Sequence, residues 1–282
     1  MKQLAKLIII IFSLSSFSQS PWTQEIGKYY TQISYTSISN YSTLFGDPDY
    51  NTEREITDRT IQFFAEYGLS GKTSLLVNIP FKMIRTGDLA TMSGINVLPP
   101  AITISDTKNS LGNIEVGIKH NFYKKDWVLS GQLSVEANTS SYNNASGIRT
   151  GYNAWSFTPM FLAGRGFGKT YIQAFVGAHI RTNNYSSNFR FGGEIGRKFF
   201  NSVWVIGFFD VSSSLKNGNI NLSAENIATG LYVNDQEFGA YGLKAILEFT
   251  NSFGINAGYG GAFSGNNVAK RAALSFGLYQ KF

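Results

Sequence analysis

Segments that alternate apolar with polar residues recur along this chain, and the connections between them are short and long in strict turn. The clearest instance spans Glu66 to Phe81. Before its polar turn Ser70-Gly71-Lys72, residues Ile61, Phe63, Ala65, Tyr67 and Leu69 alternate with Thr60, Gln62, Phe64, Glu66 and Gly68. After it, Leu75, Val77, Ile79 and Phe81 alternate with Ser74, Leu76, Asn78, Pro80 and Lys82. Period two means a strand with one apolar face and one mixed face. About twelve such segments, each of roughly ten residues or more, can be laid along the sequence, enough to span a membrane when tilted. Short turns near Ser70, Lys124, Arg165, Asn201 and Asn251 fall on one side and the longer connections on the other. The predicted fold is all-β: a transmembrane antiparallel β-barrel with short periplasmic turns and longer extracellular loops. A secreted β-sandwich is the alternative, but nothing in a sandwich requires its connections to alternate in length.

The N-terminus fits export. Lys2 and Lys6 flank a short basic start, Leu7 to Phe12 is apolar, and Ser16-Phe17-Ser18 offers small residues for cleavage. Residues 1–18 read as a secretory signal peptide, too short to span as a helix. Residues 19–27 then form a periplasmic lead-in and 28–282 the barrel. The chain has no cysteine, so disulfides and thiolate metal sites drop out. Losing Lys2 and Lys6 lowers the net charge from +6 to +4, scattered along the chain, which gives no nucleic-acid footprint. High Gly (29), Phe (23) and Tyr (15) suit lipid-facing strands and aromatic girdles. The expected setting is the outer membrane of a Gram-negative cell, as a monomer in contact with lipid.

Within this layout, six longer loops are expected, at Ser39–Glu55, Arg85–Ser110, Thr139–Thr150, Thr182–Asn188, Lys216–Asp235 and Ser264–Lys270. The Arg85–Ser110 loop contains Leu98-Pro99-Pro100-Ala101 and is a candidate to fold inward. The stretch Val203–Ser213 is apolar on both faces, so its register stays ambiguous. The chain ends on Phe282, after Phe276 and Leu278 on the same face, like the terminal aromatic of bacterial outer-membrane barrels, although Gln280 interrupts the alternation.

Two segments carry a more specific resemblance. Glu66-Tyr67-Gly68-Leu69-Ser70-Gly71-Lys72-Thr73-Ser74-Leu75, running to Ile79-Pro80-Phe81, resembles the strand-turn-strand of the phenol-degradation meta-pathway outer-membrane family. Leu111-Gly112-Asn113-Ile114-Glu115-Val116-Gly117-Ile118-Lys119-His120 is similar to that family's second recurrent segment, with Asn113 where an Asp is common. The match is clear over residues 55–125 and elsewhere rests on layout. The lead-in Trp22-Thr23-Gln24 and the Ser18/Gln19 junction also resemble Bacteroidetes-type exported proteins. The resemblance implies a transporter-like barrel for passive passage of small molecules, hydrophobic or aromatic.

The inward faces supply the lumen and selectivity candidates: Glu66, Lys82, Glu115, Lys119, Glu136, Tyr171, Phe175, His179, Arg181, Arg190, Glu194 and Lys198. Their mixed charges either line a polar lumen that sets selectivity or pair across strands and plug it. Inward Phe64, Leu76, Met160, Leu162, Tyr171 and Phe175 either guide hydrophobic ligands or simply fill a narrow barrel. A plugged barrel whose extracellular loops bind a partner is the competing function.

Enzymatic chemistry has little to stand on. The only histidines are His120, outward near a periplasmic turn, and His179, inward beside Arg181; neither has a nucleophile motif nearby. No catalytic, cofactor or metal site is expected, since the histidines lie far apart and the loop acids Asp47, Asp49 and Glu53 read as solvated. Gly258-Tyr259-Gly260-Gly261 precedes no helix and is no phosphate loop.

Overall fold

In a computed structural model, which describes residues 19–88 and 103–282, twelve antiparallel strands close into a barrel. They are β1 (Tyr29–Phe45), β2 (Tyr50–Ser70), β3 (Thr73–Thr86), β5 (Ile114–Lys124), β6 (Val128–Ala137), β7 (Ser156–Phe167), β8 (Thr170–Arg181), β9 (Asn188–Phe199), β10 (Val203–Ser214), β11 (Glu237–Glu248), β12 (Phe253–Asn266) and β14 (Ala273–Lys281). Each pairs with its sequence neighbour. β1 closes the ring by pairing with both β2 and β14, with Ile33 set between Phe63 and Leu278. Two further strands, β4 (Asp106–Leu111) and β13 (Val268–Ala269), extend the wall on the long-loop side against β3 and β1.

The alternation sets which way each side chain points. Ile33, Leu133, Ile195, Leu243 and Leu278 stand exposed on the outer face, where the solvent of a spanning barrel is lipid. Their sequence neighbours Gln32, Gln132, Lys244 and Tyr279 are buried inside. The ambiguous stretch resolves in β10: Val205 and Phe209 point out, while Ile206 and Phe208 fill the interior.

Several connections differ from the expected loops. The Ser39–Glu55 segment is mostly a two-stranded ribbon whose turn is only residues 46–49. Tyr41, Thr43, Tyr50 and Thr52 favour pleated backbone, and the ribbon stands beyond the lipid belt, so it has no uniformly apolar face for periodicity to reveal. Asn40, at φ 50°, marks the bulge in β1 where the ribbon leaves the wall. The Arg85–Ser110 loop is shorter than expected, because β3 runs to Thr86 and β4 starts at Asp106; Leu98-Pro99-Pro100-Ala101 lies outside the described residues. The Thr139–Thr150 loop extends to Trp155, and the Lys216–Asp235 loop holds a one-turn helix, α1 (Ala224–Ile227), capped by Ser223.

β4 and β5 are one strand interrupted opposite Pro80. Gly112 N–H donates to Pro80 O at 2.8 Å. The reciprocal bond of an antiparallel pair is impossible, because proline has no N–H. Gly112 O instead accepts the Thr139 hydroxyl at 2.5 Å, Leu111 O accepts the Thr150 hydroxyl at 2.8 Å, and Asn113 donates to Tyr152 O at 3.0 Å. The gap in the ladder thus anchors the β6–β7 loop.

Both mouths are covered. On the long-loop side, Ile148 of the β6–β7 loop and Leu231 of the β10–β11 loop pack on Tyr41, Leu44, Ile56 and Ile84 as one apolar cluster. On the short-turn side, the lead-in does not hang free. Gln19, Pro21 and Thr23 are buried inside the barrel. Pro21 O accepts Asn121 Nδ2 at 2.8 Å and Ser130 Oγ at 2.5 Å, Thr23 Oγ1 donates to Asn121 Oδ1 at 2.7 Å, and Gln24 N–H donates to Ser74 Oγ at 2.9 Å. Gly164 makes room for the segment: a Cβ there would lie 2.7 Å from Pro21 and 2.8 Å from Trp22.

Candidate functional site: a covered lumen with two cavities

All twelve candidate lumen residues lie on the inner face of their strands, and most of the charged ones are paired. Lys119 Nζ, fully buried, sits 3.0 Å from Glu66 Oε2 and donates to Ser20 O at 2.9 Å. Lys82 Nζ meets Asp58 at 2.8 Å and Thr60 Oγ1 at 2.9 Å, and its ammonium lies 5.6 Å from the centre of the Tyr232 ring. Arg190 pairs with Asp210 at 2.7 Å, and Lys198 pairs with Glu248. Phe175 packs with Met160 and Leu162 as interior filling. Asp58 and Glu248, which are not among the twelve candidates, complete two of these pairs. Strand parity was the available signal, since Asp58 shares a face with Thr60 and Gln62.

A cavity of about 320 Å³ lies at the short-turn end, against the lead-in. Trp22 meets Tyr171 edge to face at 5.9 Å, and Tyr171 meets Trp204 at 5.4 Å. Ile206 and Ile246 complete an apolar wall. Its one carboxylate, Glu194, is fully engaged: Lys244 Nζ lies at 2.6 Å, Tyr171 O–H donates at 2.7 Å and Gln173 Nε2 at 2.9 Å. With its charge satisfied, the site offers a guest aromatic surface and no unpaired ion.

The second cavity, about 300 Å³, lies toward the long loops and is lined mainly by residues with polar groups. Lys82, Glu136, His179, Asn78, Tyr152 and Tyr232 line it. His179 Nε2 stands 3.5 Å from Glu136 Oε2, and Arg181 Nη2 lies 3.3 Å from His179 Nδ1. Glu115 is the cross-strand neighbour of Glu136 and accepts from Asn78 at 3.4 Å. The Arg181 guanidinium stacks on Tyr152, 4.0 Å from its centre, and Tyr152 meets Tyr185 and Tyr232 edge to face. Burial pushes the Tyr152 phenol up to about 12, so this loop tyrosine stays neutral. Tyr152, Tyr232 and Trp22 are not among the candidate lumen residues, because each comes from a segment without periodicity.

The histidines have no serine partner among the described residues. His120 faces outward and meets Thr73 Oγ1 at 2.9 Å, while His179 meets Glu136 and Arg181. No cluster of three or more metal-ligating side chains occurs among the described residues.

Comparison with solved structures places this architecture. The chain superposes on the COG4313 outer membrane channel from Pseudomonas putida F1 with a TM-score of 0.68, covering 96% of this chain and 100% of that one at 12% identity. It has the outer-membrane β-barrel fold. The translocator domain of the autotransporter NalP from Neisseria meningitidis superposes with a TM-score of 0.54 at 12% identity, over 92% of this chain and 90% of that one. At such identities the likeness is one of fold. No family model matches the sequence, so the resemblance to the phenol-degradation family gains no support there. No curated protein matches it either.

Proposed function

We propose that this chain is a monomeric outer-membrane channel for small hydrophobic or aromatic molecules, and that passage requires the lead-in to leave the lumen. The observation that carries the reading is the short-turn cavity: Trp22, Tyr171, Trp204, Ile206 and Ile246 around a carboxylate that three donors already satisfy. Such a site favours a neutral, flat guest over an ion. Trp22 belongs to the lead-in, so the plug supplies one wall of the site and blocks the path beyond it. The superposition on an outer membrane channel supports the reading at the level of architecture. The paired lumen charges argue against strong selectivity for either sign of ion.

The test compares the full barrel with a variant lacking residues 19–25, by single-channel conductance in planar bilayers and by tryptophan fluorescence on adding toluene. Low conductance that rises on deletion, together with a toluene-induced change that W204F diminishes and W22F/W204F removes, is the expected result. If neither form conducts and toluene leaves the fluorescence unchanged, the channel reading is wrong. The competing reading, a plugged barrel that presents a surface to a partner, draws on the apolar cluster of Ile148 and Leu231 with the β1–β2 ribbon. That cluster makes the long-loop end a packed cap rather than a set of free loops.

A further inference from the structure

A polar recess of about 320 Å³ opens on the outside of the barrel wall, lined by Arg59, Arg85, Thr57, Thr107, Asn109 and Glu55. Arg59 and Arg85 project outward from β2 and β3. Arg59 is opposite Met83, and Arg85 is opposite Thr57. The two arginines are therefore diagonal neighbours, about 7–8 Å apart at their bases. Among the described residues, neither guanidinium has a hydrogen bond or an ion pair. Thr57 is turned to the floor, where its hydroxyl donates to Asn40 Oδ1 at 2.8 Å. Glu55 is the single acid lining the recess.

Height gives the recess its meaning. Arg59 stands eleven residues above Ser70, where β2 meets its short turn. At about 3.4 Å per residue and a tilt of about 40°, that is about 29 Å, just above an apolar belt about 25 Å tall. Immediately below the arginines, Ile61, Phe81 and Leu111 stand in one cross-strand row, all exposed outward. Glu55 lies on the other diagonal of Arg85 but forms no ion pair with either arginine, so the two like charges repel unless an anion fills the space between them. Planar guanidiniums match the oxygens of a phosphate.

We propose that Arg59 and Arg85 bind the phosphate of a membrane lipid with a phosphomonoester headgroup, whose acyl chains lie on Ile61, Phe81 and Leu111. The site needs only the spanning fold and the outward placement of the long-loop end. It stands or falls independently of the channel reading.

Native mass spectrometry of the purified barrel, titrated with monophosphoryl lipid A and with its dephosphorylated form, tests it. The wild type should prefer the phosphorylated lipid by roughly tenfold or more, and R59Q/R85Q should lose that preference, since a charge-assisted contact is worth about tenfold. E55Q should hold the lipid at least as tightly as the wild type, because it removes the one competing acid. Heat-modifiable gel mobility reports whether each variant is a folded barrel. If the double variant does not fold, R85Q alone should weaken the preference while E55Q maintains it. Equal binding of both lipids by the wild type, or an undiminished preference in the folded arginine variants, would overturn the assignment.

Discussion

Removing the ammonium of Lys119 should destabilise the barrel far more than removing both members of its pair. Lys119 is fully buried, 3.0 Å from a Glu66 carboxylate whose side chain is 4% exposed, and it also donates to Ser20 O in the lead-in. At a separation of about 4 Å and an effective dielectric of about 20, such charges attract by ~4 kcal/mol. K119M keeps the chain length and leaves the carboxylate in the wall without its counter-ion, so a loss of ~3–5 kcal/mol is expected. In K119M/E66Q no buried charge is orphaned, and stability should return to within ~1–2 kcal/mol of the wild type. With E66Q alone completing the cycle, the two substitutions should be coupled by ~2 kcal/mol or more. Urea titration of barrels in detergent micelles, followed by tryptophan fluorescence and checked for reversibility, measures all three. If K119M falls within ~1 kcal/mol of the wild type, or the double variant is less stable than the single one, the pair is not a desolvated unit and the reasoning fails.

The remaining expectations concern the two covers and the ribbon. G164V places methyl groups where Pro21 and Trp22 lie, so it should expel the lead-in and raise conductance as deletion of residues 19–25 does, while the barrel still resists heat in gel mobility. I148A removes a fully buried side chain from the long-loop cluster and should cost about 2–5 kcal/mol locally, seen as faster proteolysis within residues 138–155. Unchanged cleavage would mean that the cap does not depend on this contact. At the tip of the ribbon, a hydrogen bond from Lys270 holds the Asp49 carboxyl below its usual range. K270Q should raise it, as carboxyl NMR titration would show. A depressed carboxylate favours the folded tip above its unfolded value, and this contribution fades as pH falls through the folded one.

The spanning wall was legible in the sequence because lipid imposes one requirement on every outward residue. Ile61, Phe63 and Tyr67 on β2, or Phe276 and Leu278 on β14, show a period that survives any choice of interior neighbour. The inner face was legible only as a set of directions. Glu66 and Lys119 come from strands that do not pair with each other, and Lys244 reaches Glu194 across β10, so their partnership depends on closure and register, which no single strand encodes. β10 was ambiguous for a physical reason: Ile206 and Phe208 fill a narrow lumen, so both faces are apolar. The ribbon was hidden because it stands beyond the belt, where neither face has to be apolar. Trp22 and Tyr232 reach the lumen from segments with no period at all, so only the folded chain reveals them beside Tyr171 and Lys82.

The proline in β3 has a consequence for anyone who wishes to re-engineer this scaffold. Surface loops of barrels are commonly regarded as exchangeable ornaments on a fixed cylinder. Here the cylinder has a vacant acceptor at Gly112, created by Pro80, and the β6–β7 loop is the part machined to fit it through Thr139. Thr150 and Asn113 add a second and third fastening beside it. A foreign loop spliced between β6 and β7 would leave a carbonyl on the neighbouring strand with nothing to bond. Wall and cap would therefore have to be redesigned as one piece.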